Sequence, residues 1–410
     1  MFKFLHAADL HMDSPLTGLT SLGEDIAKTV ATASRKAFKR MLDLARSEKV
    51  QFIVISGDIL DGAIRDHGTI QFLLNELGLL AQTIPVYLIR GNHDALNTAG
   101  TGIIWPANVF ELAGDQASTL MVHGIPVAIH GQSFKERATQ ENLVRGYPAA
   151  MANHFNIGIL HTSLAGADSS HDRYAPTSVD ELVGKGYQYW ALGHIHKREI
   201  IRSGSPWIVY PGNIQGRSVR ETGPRGCAIV RVDSTLNGST EFVDLDEVRF
   251  HEVEVDLTGV DSIDHWGDKL RDSVKHLPWA NANAIRIRFT GNANASTVLP
   301  PGALLRQEVR QRLAGLGKSA VLEKIKIECA TAASAAGLLA DEEQLFADIV
   351  GGWKSNPESL QSTLKVDDDI IALTRRLRRS FPNDYEVEAM IKNIDNIDSV
   401  IQVLRGKAQS

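Results

Sequence analysis

Cysteine is nearly absent: the 410 residues contain two, Cys227 and Cys329, far apart in the chain. That spacing excludes a disulfide framework or a CxxC zinc site and fits a reducing compartment. Both are expected to be small buried hydrophobes. No stretch approaches the roughly 18 apolar residues of a membrane span, so no membrane association is expected. The opening MFKFLHAADLH reaches Asp9 too soon for a secretory signal, and the expected location is the cytoplasm. Excess positive charge is also missing, with a net charge of −6 and a pI near 6.2. Any nucleic-acid contact must therefore be a local patch or run through metal ions. Composition is otherwise that of a globular protein, 43% hydrophobic and 22% charged, which excludes wholesale disorder. The length suggests two or three domains.

Through about residue 235, short apolar runs alternate with amphipathic stretches. The runs are FKFLHAA (2–8), FIVISG (52–57), VYLIRG (86–91), VAIHG (127–131), NIGILH (156–161) and YWALGH (189–194). Helical periodicity marks 25–48 and 69–81. Strand and helix in alternation predict an α/β fold with a sheet covered on both faces. IVYPGN (208–213) and GCAIVRVD (226–233) read as antiparallel strands closing the domain. The polar, turn-rich DSTLNGS (233–239) reads as a first boundary. Beyond it, strands at 250–257, 284–289 and 321–329 and helices at 261–276 and 303–314 predict a small α/β domain. The remainder is read as helical, with Asp367–Asp369 and Arg375–Arg379 forming a mixed, solvated surface.

Five apolar runs end in metal-ligand residues: Asp9-Leu10-His11, Gly57-Asp58-Ile59-Leu60-Asp61, Gly91-Asn92-His93-Asp94, His161, and Gly193-His194-Ile195-His196. In open α/β sheets, sites form at the carboxyl ends of strands, so five such rims on one sheet can address a common point. Singly, DxH and GDxxD are common turn and cap sequences. Two imidazoles at i and i+2 behind an apolar strand have little structural use. Carboxylate, amide and imidazole donors without thiolate suit manganese, iron or magnesium. Seven donors are too many for one ion and suit two sharing a carboxylate; such a pair, about 3.5–4 Å apart, can clamp an in-line phosphoryl displacement. His6, inside the first strand, reads as a core histidine; His123 and His130 read as structural or exposed, and His171 as a solvated loop residue.

The ordered set DxH, GDxxD, GNHD, H, GHxH resembles the calcineurin-like metallophosphoesterases. ADLHMDSPL, LHTSLAG (160–166), the block 174–199 and YPGNIQGRSVRETGPRGC (210–227) are similar to SbcD-type DNA repair exonucleases, above all to their YhaO-like branch. The resemblance implies a sandwich of mixed sheets covered by helices (1–240), a smaller α/β capping domain (241–335) and a helical C-terminal region (336–410). It implies one ion on Asp9, His11, Asp58 and His196 and another on Asp58, Asn92, His161 and His194, manganese first and magnesium or iron as alternatives. His93 would serve as the acid or transition-state stabiliser, oriented by Asp61. DNA would be the substrate, an SbcC-like coiled-coil ATPase a partner, and a homodimer the assembly. Arg65, Lys197, Arg198, Arg217 and Arg220 follow the motifs, and Arg217 and Arg220 are the pair expected to touch substrate phosphates. The alternative is a phosphodiesterase for nucleotides or other small phosphoesters.

Overall fold

The computed structural model describes residues 1–16, 29–61, 67–80, 83–96, 103–164, 174–263 and 265–329. Arg65, His171 and the predicted helical region 336–410 lie outside them. Residues 1–329 form one compact unit.

Its first sheet has the order β12-β11-β1-β2-β3-β4. The strands are β1 (Phe2–Ala7), β2 (Phe52–Ser56), β3 (Val86–Ile89), β4 (Val109–Glu111), β11 (Gly226–Val232) and β12 (Gly238–Asp244). The second runs β5-β6-β7-β8-β10-β9. It comprises β5 (Ser118–Met121), β6 (Val127–Gly131), β7 (Phe155–His161), β8 (Tyr189–Gly193), β9 (Glu199–Arg202) and β10 (Trp207–Tyr210).

The strands read as continuous apolar runs because both of their faces are covered. Phe2, Phe4, Phe52 and Val54 point into the layer between the sheets and meet Phe155, Ile157, Ile159 and Tyr189 there. Leu5, Ile53 and Ile55 point outward against helices α1 (Ala33–Ser47) and α2 (His67–Leu80), whose buried faces include Ala37, Met41, Leu73 and Leu77. The helical spacing expected for these segments is what buries them.

Two expectations change. The 208–213 and 226–233 runs are not partners: β10 runs parallel to β8, whereas β11 lies antiparallel between β1 and β12. An apolar run specifies burial but not its neighbour. The polar stretch 233–239 is the turn of the β11–β12 hairpin, so the chain stays in the first sheet to Asp244. Turn residues punctuate hairpins and linkers alike.

A third, wholly parallel sheet follows, β13 (Val248–Asp256), β14 (Ala282–Thr290) and β15 (Ala320–Ile327) in that order. Helices α4 (Trp266–Val274) and α5 (Gly302–Ala314) make its crossovers, after the short α3 (Val179–Gly184) of the second sheet. Trp266, Leu270, Ile285, Ile287, Phe289 and Val309 share its core. Leu16 and Ala33 pack with Val248, Phe250 and Ala284 at the join. Lys36 Nζ, 3.0 Å from Glu247, and Arg40 clamp it from α1.

Candidate metal centre

Strands β1, β2 and β3 are parallel, as are β7 and β8, so the five motifs leave their strands at two facing rims. The site is therefore built from two sheets, not from one as expected. Backbone bonds lace the first rim together: Asp9 N–H donates to Gly57 O (3.0 Å) and His11 N–H to Asp58 O (3.0 Å). Across the sandwich, His194 N–H donates to both oxygens of Asp9, at 3.0 and 3.1 Å.

The loops are tightly wound. Asp9, His11, Asp58 and His194 all have positive φ, at 51°, 40°, 51° and 96°. Non-glycine residues enter this region at about 1–3 kcal/mol each, a strain that collects at functional sites. Room for the site depends on glycine: a Cβ at Gly193 would overlap the Ser56 carbonyl oxygen, and one at Gly91 the Asp58 carboxylate.

Asp9, His11, Asp58 and His161 are at most 2% exposed, which takes two carboxylates out of water together. Donor atoms gather in three overlapping groups, Asp9–His11–His196, Asp9–Asp58–His161 and His11–Asp58–His93, each within 4.8 Å. Asn92 Oδ1 lies 2.9 Å from His161 Nε2. His194 stands beside them, its ring 5.2 Å from that of His161 and 5.4 Å from Tyr174.

Hydrogen bonds to second nitrogens decide which nitrogen faces the centre. His161 Nδ1 is 2.9 Å from Ser56 O, which can only accept, so this nitrogen carries a proton. Its Nε2 also faces acceptors, Asn92 Oδ1 and, at 3.4 Å, Asp58 Oδ2. Burial alone would lower the His161 pKa, but the charge and hydrogen bond of Asp58, with Asp9 behind, push it up to about 9. The same imidazole outweighs burial at Asp58 and holds that carboxyl well below its usual range, whereas burial pushes Asp9 up. Two buried carboxylates set among imidazole nitrogens and an amide oxygen have the charge and donor set of a cation site. His11 Nε2 and His196 Nε2 face each other at 3.1 Å, and His11 Nδ1 is buried without a hydrogen-bond partner. These residues fit divalent metal.

His93 sits at the mouth, with its backbone N–H donating to Asp58 Oδ1 (2.8 Å) and Nδ1 3.1 Å from Asp61 Oδ1. Burial disfavours its charge, yet Asp61 and Asp58 outweigh that and raise its pKa above the ordinary value. Ser14 Oγ donates to the other Asp61 oxygen (2.8 Å). Arg217 reaches the same oxygen at 3.5 Å, while Arg220 is exposed. His6 is the core histidine expected: Nδ1 faces Tyr189 Oη (3.0 Å), and Nε2 faces Ser56 Oγ (3.1 Å) and Leu192 O (3.2 Å). His123 is exposed, and His130 is buried between Thr119 and Asn156. Cys227 is buried, but Cys329 only partly so.

Sequence reasoning missed two carboxylates. Asp94 accepts from Ile59 N–H (3.1 Å), Leu60 N–H (2.8 Å) and Gly91 N–H (2.9 Å), tying the loops after β2 and β3 together. Burial, with the Asp58 charge, pushes it up to about 7. Glu221 lies 2.8 Å from His196 Nδ1. The signal for Asp94 was its place in the GNHD string, and for Glu221 its place in the 210–227 block; neither position specifies a partner.

The calcineurin-like phosphoesterase family matches residues 2–198, and the middle domain of the metallophosphoesterase YhaO matches residues 250–330. The chain is 40% identical over 261 residues to a Bacillus subtilis protein described as an uncharacterized metallophosphoesterase, YhaO, covering 62% of this chain and 63% of that one. It is 25% identical over 303 residues to a DNA double-strand break repair protein, Mre11, of Methanopyrus kandleri, covering 67% and 62% of the two chains. It is 26% identical over 261 residues to a subunit of the nuclease SbcCD from Staphylococcus saprophyticus, covering 56% and 65%. The matched region thus spans less than two thirds of each of these relatives. Residues 2–198 therefore carry a calcineurin-like metallophosphoesterase domain, and residues 250–330 a YhaO-type middle domain.

Proposed function

We propose that the protein is a two-metal phosphodiesterase that cleaves DNA. The observation that carries the reading is the convergence of buried and half-buried carboxylate and imidazole donors from five strand ends on one cluster. Asp9, His11, Asp58 and His196 would hold one ion and Asp58, Asn92, His161 and His194 the other, with Asp58 shared. When bound, the ions, of which manganese is proposed first, supply Lewis acidity toward the phosphoryl oxygens and the attacking water.

The remaining chemistry falls to the chain. Asp61 holds one proton of His93 at Nδ1 and fixes the ring, so the proton on Nε2 is the one to be passed to the leaving oxygen. Against burial, the Asp61 and Asp58 carboxylates favour the doubly protonated ring. Arg217, beside Asp61, supplies a guanidinium to the phosphate oxygens. A DNA substrate is supported by the relatives described as a DNA double-strand break repair protein and part of a nuclease. By the same analogy the α/β unit that follows Asp244 caps the site, and 336–410 contact a coiled-coil ATPase, with a homodimer as the working assembly in the cytoplasm. No described helix is long and apolar enough to cross a membrane.

The test offers purified protein and manganese with single-stranded DNA, duplex DNA and bis-p-nitrophenyl phosphate in parallel, with and without chelator. Metal-dependent DNA cleavage is expected. Hydrolysis of the small diester with DNA left intact would replace DNA with a small phosphoester as substrate.

A further inference from the structure

Glu221 stands behind the centre, in the turn that follows β10, with both carboxylate oxygens engaged. Its Oε1 is 2.8 Å from His196 Nδ1 and 3.6 Å from Arg217 Nε. Its Oε2 accepts from the backbone N–H of Arg217 (2.7 Å) and from Asn213 Nδ2 (2.9 Å). The turn is closed on itself, since Glu221 N–H donates to Ser218 O (2.9 Å) and Gly226 N–H to Asn213 O (3.1 Å). Resting on the two-metal reading above, we propose that Glu221 is a positioning residue for both halves of the centre: it turns His196 so that Nε2 faces the metals, and it seats Arg217 so that its guanidinium faces the phosphate.

For His196 the argument is one of proton placement. An ionised carboxylate only accepts, so His196 Nδ1 carries a proton, and Nε2, 3.1 Å from His11 Nε2, is the nitrogen turned to the centre. A neutral imidazole in water favours the opposite tautomer, with the proton on the nitrogen that a metal needs bare. Without Glu221 that preference returns and the ring is free to rotate. A carboxylate behind a ligating imidazole also raises its basicity, and losing such partners costs 10–100-fold in metal affinity.

For Arg217 the argument is one of seating. Its guanidinium lies between Glu221 (3.6 Å) and Asp61 (3.5 Å), and Asp61 also orients His93. His196, Glu221, Arg217, Asp61 and His93 thus form a continuous arc of alternating charge-bearing groups around the mouth. The Oε2 bond to the Arg217 backbone fixes where the arginine side chain begins, which a surface ion pair alone would not do.

The test uses the full chain as wild type, Glu221→Ala, Glu221→Asp and the isosteric Glu221→Gln. Long-range 1H–15N spectra of the metal-free protein report the His196 tautomer. Manganese titration reports each ion, and hydrolysis of bis-p-nitrophenyl phosphate separates KM from kcat. In Glu221→Ala the His196 proton is expected to move toward Nε2, one ion to bind ~10–100-fold more weakly while the other is retained, and KM to rise; Glu221→Asp should recover part of each. If the alanine variant does not fold, Glu221→Gln decides, because its amide must turn an NH2 toward either His196 or the Arg217 N–H and so impair one half. An unmoved tautomer in Glu221→Ala, or unchanged affinity for both ions, overturns the proposal. Wild-type protein that binds no manganese would instead defeat the two-metal reading, and the metal-free spectra would still decide the role of Glu221.

Discussion

His6 makes stability depend on pH by an amount that can be worked out. Leu192 O can only accept, so His6 Nε2 carries the proton, and Nδ1 accepts from Tyr189 Oη. The ring is fully buried as the neutral form. Burial, partly opposed by the Leu192 hydrogen bond, lowers its pKa from 6.5 to about 3. Above pH 6.5 neither the folded nor the unfolded chain protonates here. As pH falls below that value the unfolded chain takes up a proton that the native one refuses, so stability is lost until the native pKa is reached. The loss is about 2 kcal/mol at pH 5 and approaches about 5 kcal/mol near pH 3. His6→Gln keeps one donor and one acceptor and does not titrate. Urea unfolding of both proteins at pH 7 and pH 5, in chelator, is the assay. The wild type should lose about 2 kcal/mol more than the variant between the two pH values, the terms from other groups cancelling in the difference. Equal losses would refute the buried neutral histidine.

Four further outcomes are expected. Asp58→Asn should abolish binding of both ions while His196→Ala keeps one, as counted by metal analysis after manganese loading; a wild type that holds one ion at saturation would contradict a shared Asp58. His93→Ala should retain its metal and lose ~10²–10⁴-fold in kcat, whereas metal loss would show His93 to be a ligand. Arg217→Ala should slow hydrolysis of DNA and of bis-p-nitrophenyl phosphate alike, because Arg217 reaches Asp61. Arg220→Ala, at an exposed position, should weaken only DNA cleavage and reduce its salt slope by about 1; effects on both substrates would place Arg220 at the centre too.

The candidate donors were legible because a β-strand covered on both faces writes itself as an apolar run, and a polar head directly after the run marks the rim. Asp58 behind FIVIS and His194 behind YWALG both follow this rule. What could not be read was which strands lie side by side. β10 and β11 are alike in composition, yet one joins β8 and the other crosses to β1, a choice made by long-range pairing. Arg217 looked like any basic residue on a groove wall; only the fold sets it against Asp61, 156 positions away. Asp94 and Glu221 escaped for the same reason, since a bracing carboxylate is defined by the N–H groups it meets and not by its neighbours in sequence.

A centre divided between two sheets also fixes an order of events. His11 and His196 are 185 positions apart, so their encounter closes a very long loop, the kind of contact that forms late in folding. On a growing chain, Asp9, His11, Asp58 and Asn92 emerge before the strands that carry His161 and His194 exist, and these early residues alone offer an ion only half a cage. An ion held by both rims would therefore be captured only once the two sheets have closed on each other. Such an ion would favour only the closed form, so that loading with metal would seal the sandwich after folding instead of guiding it.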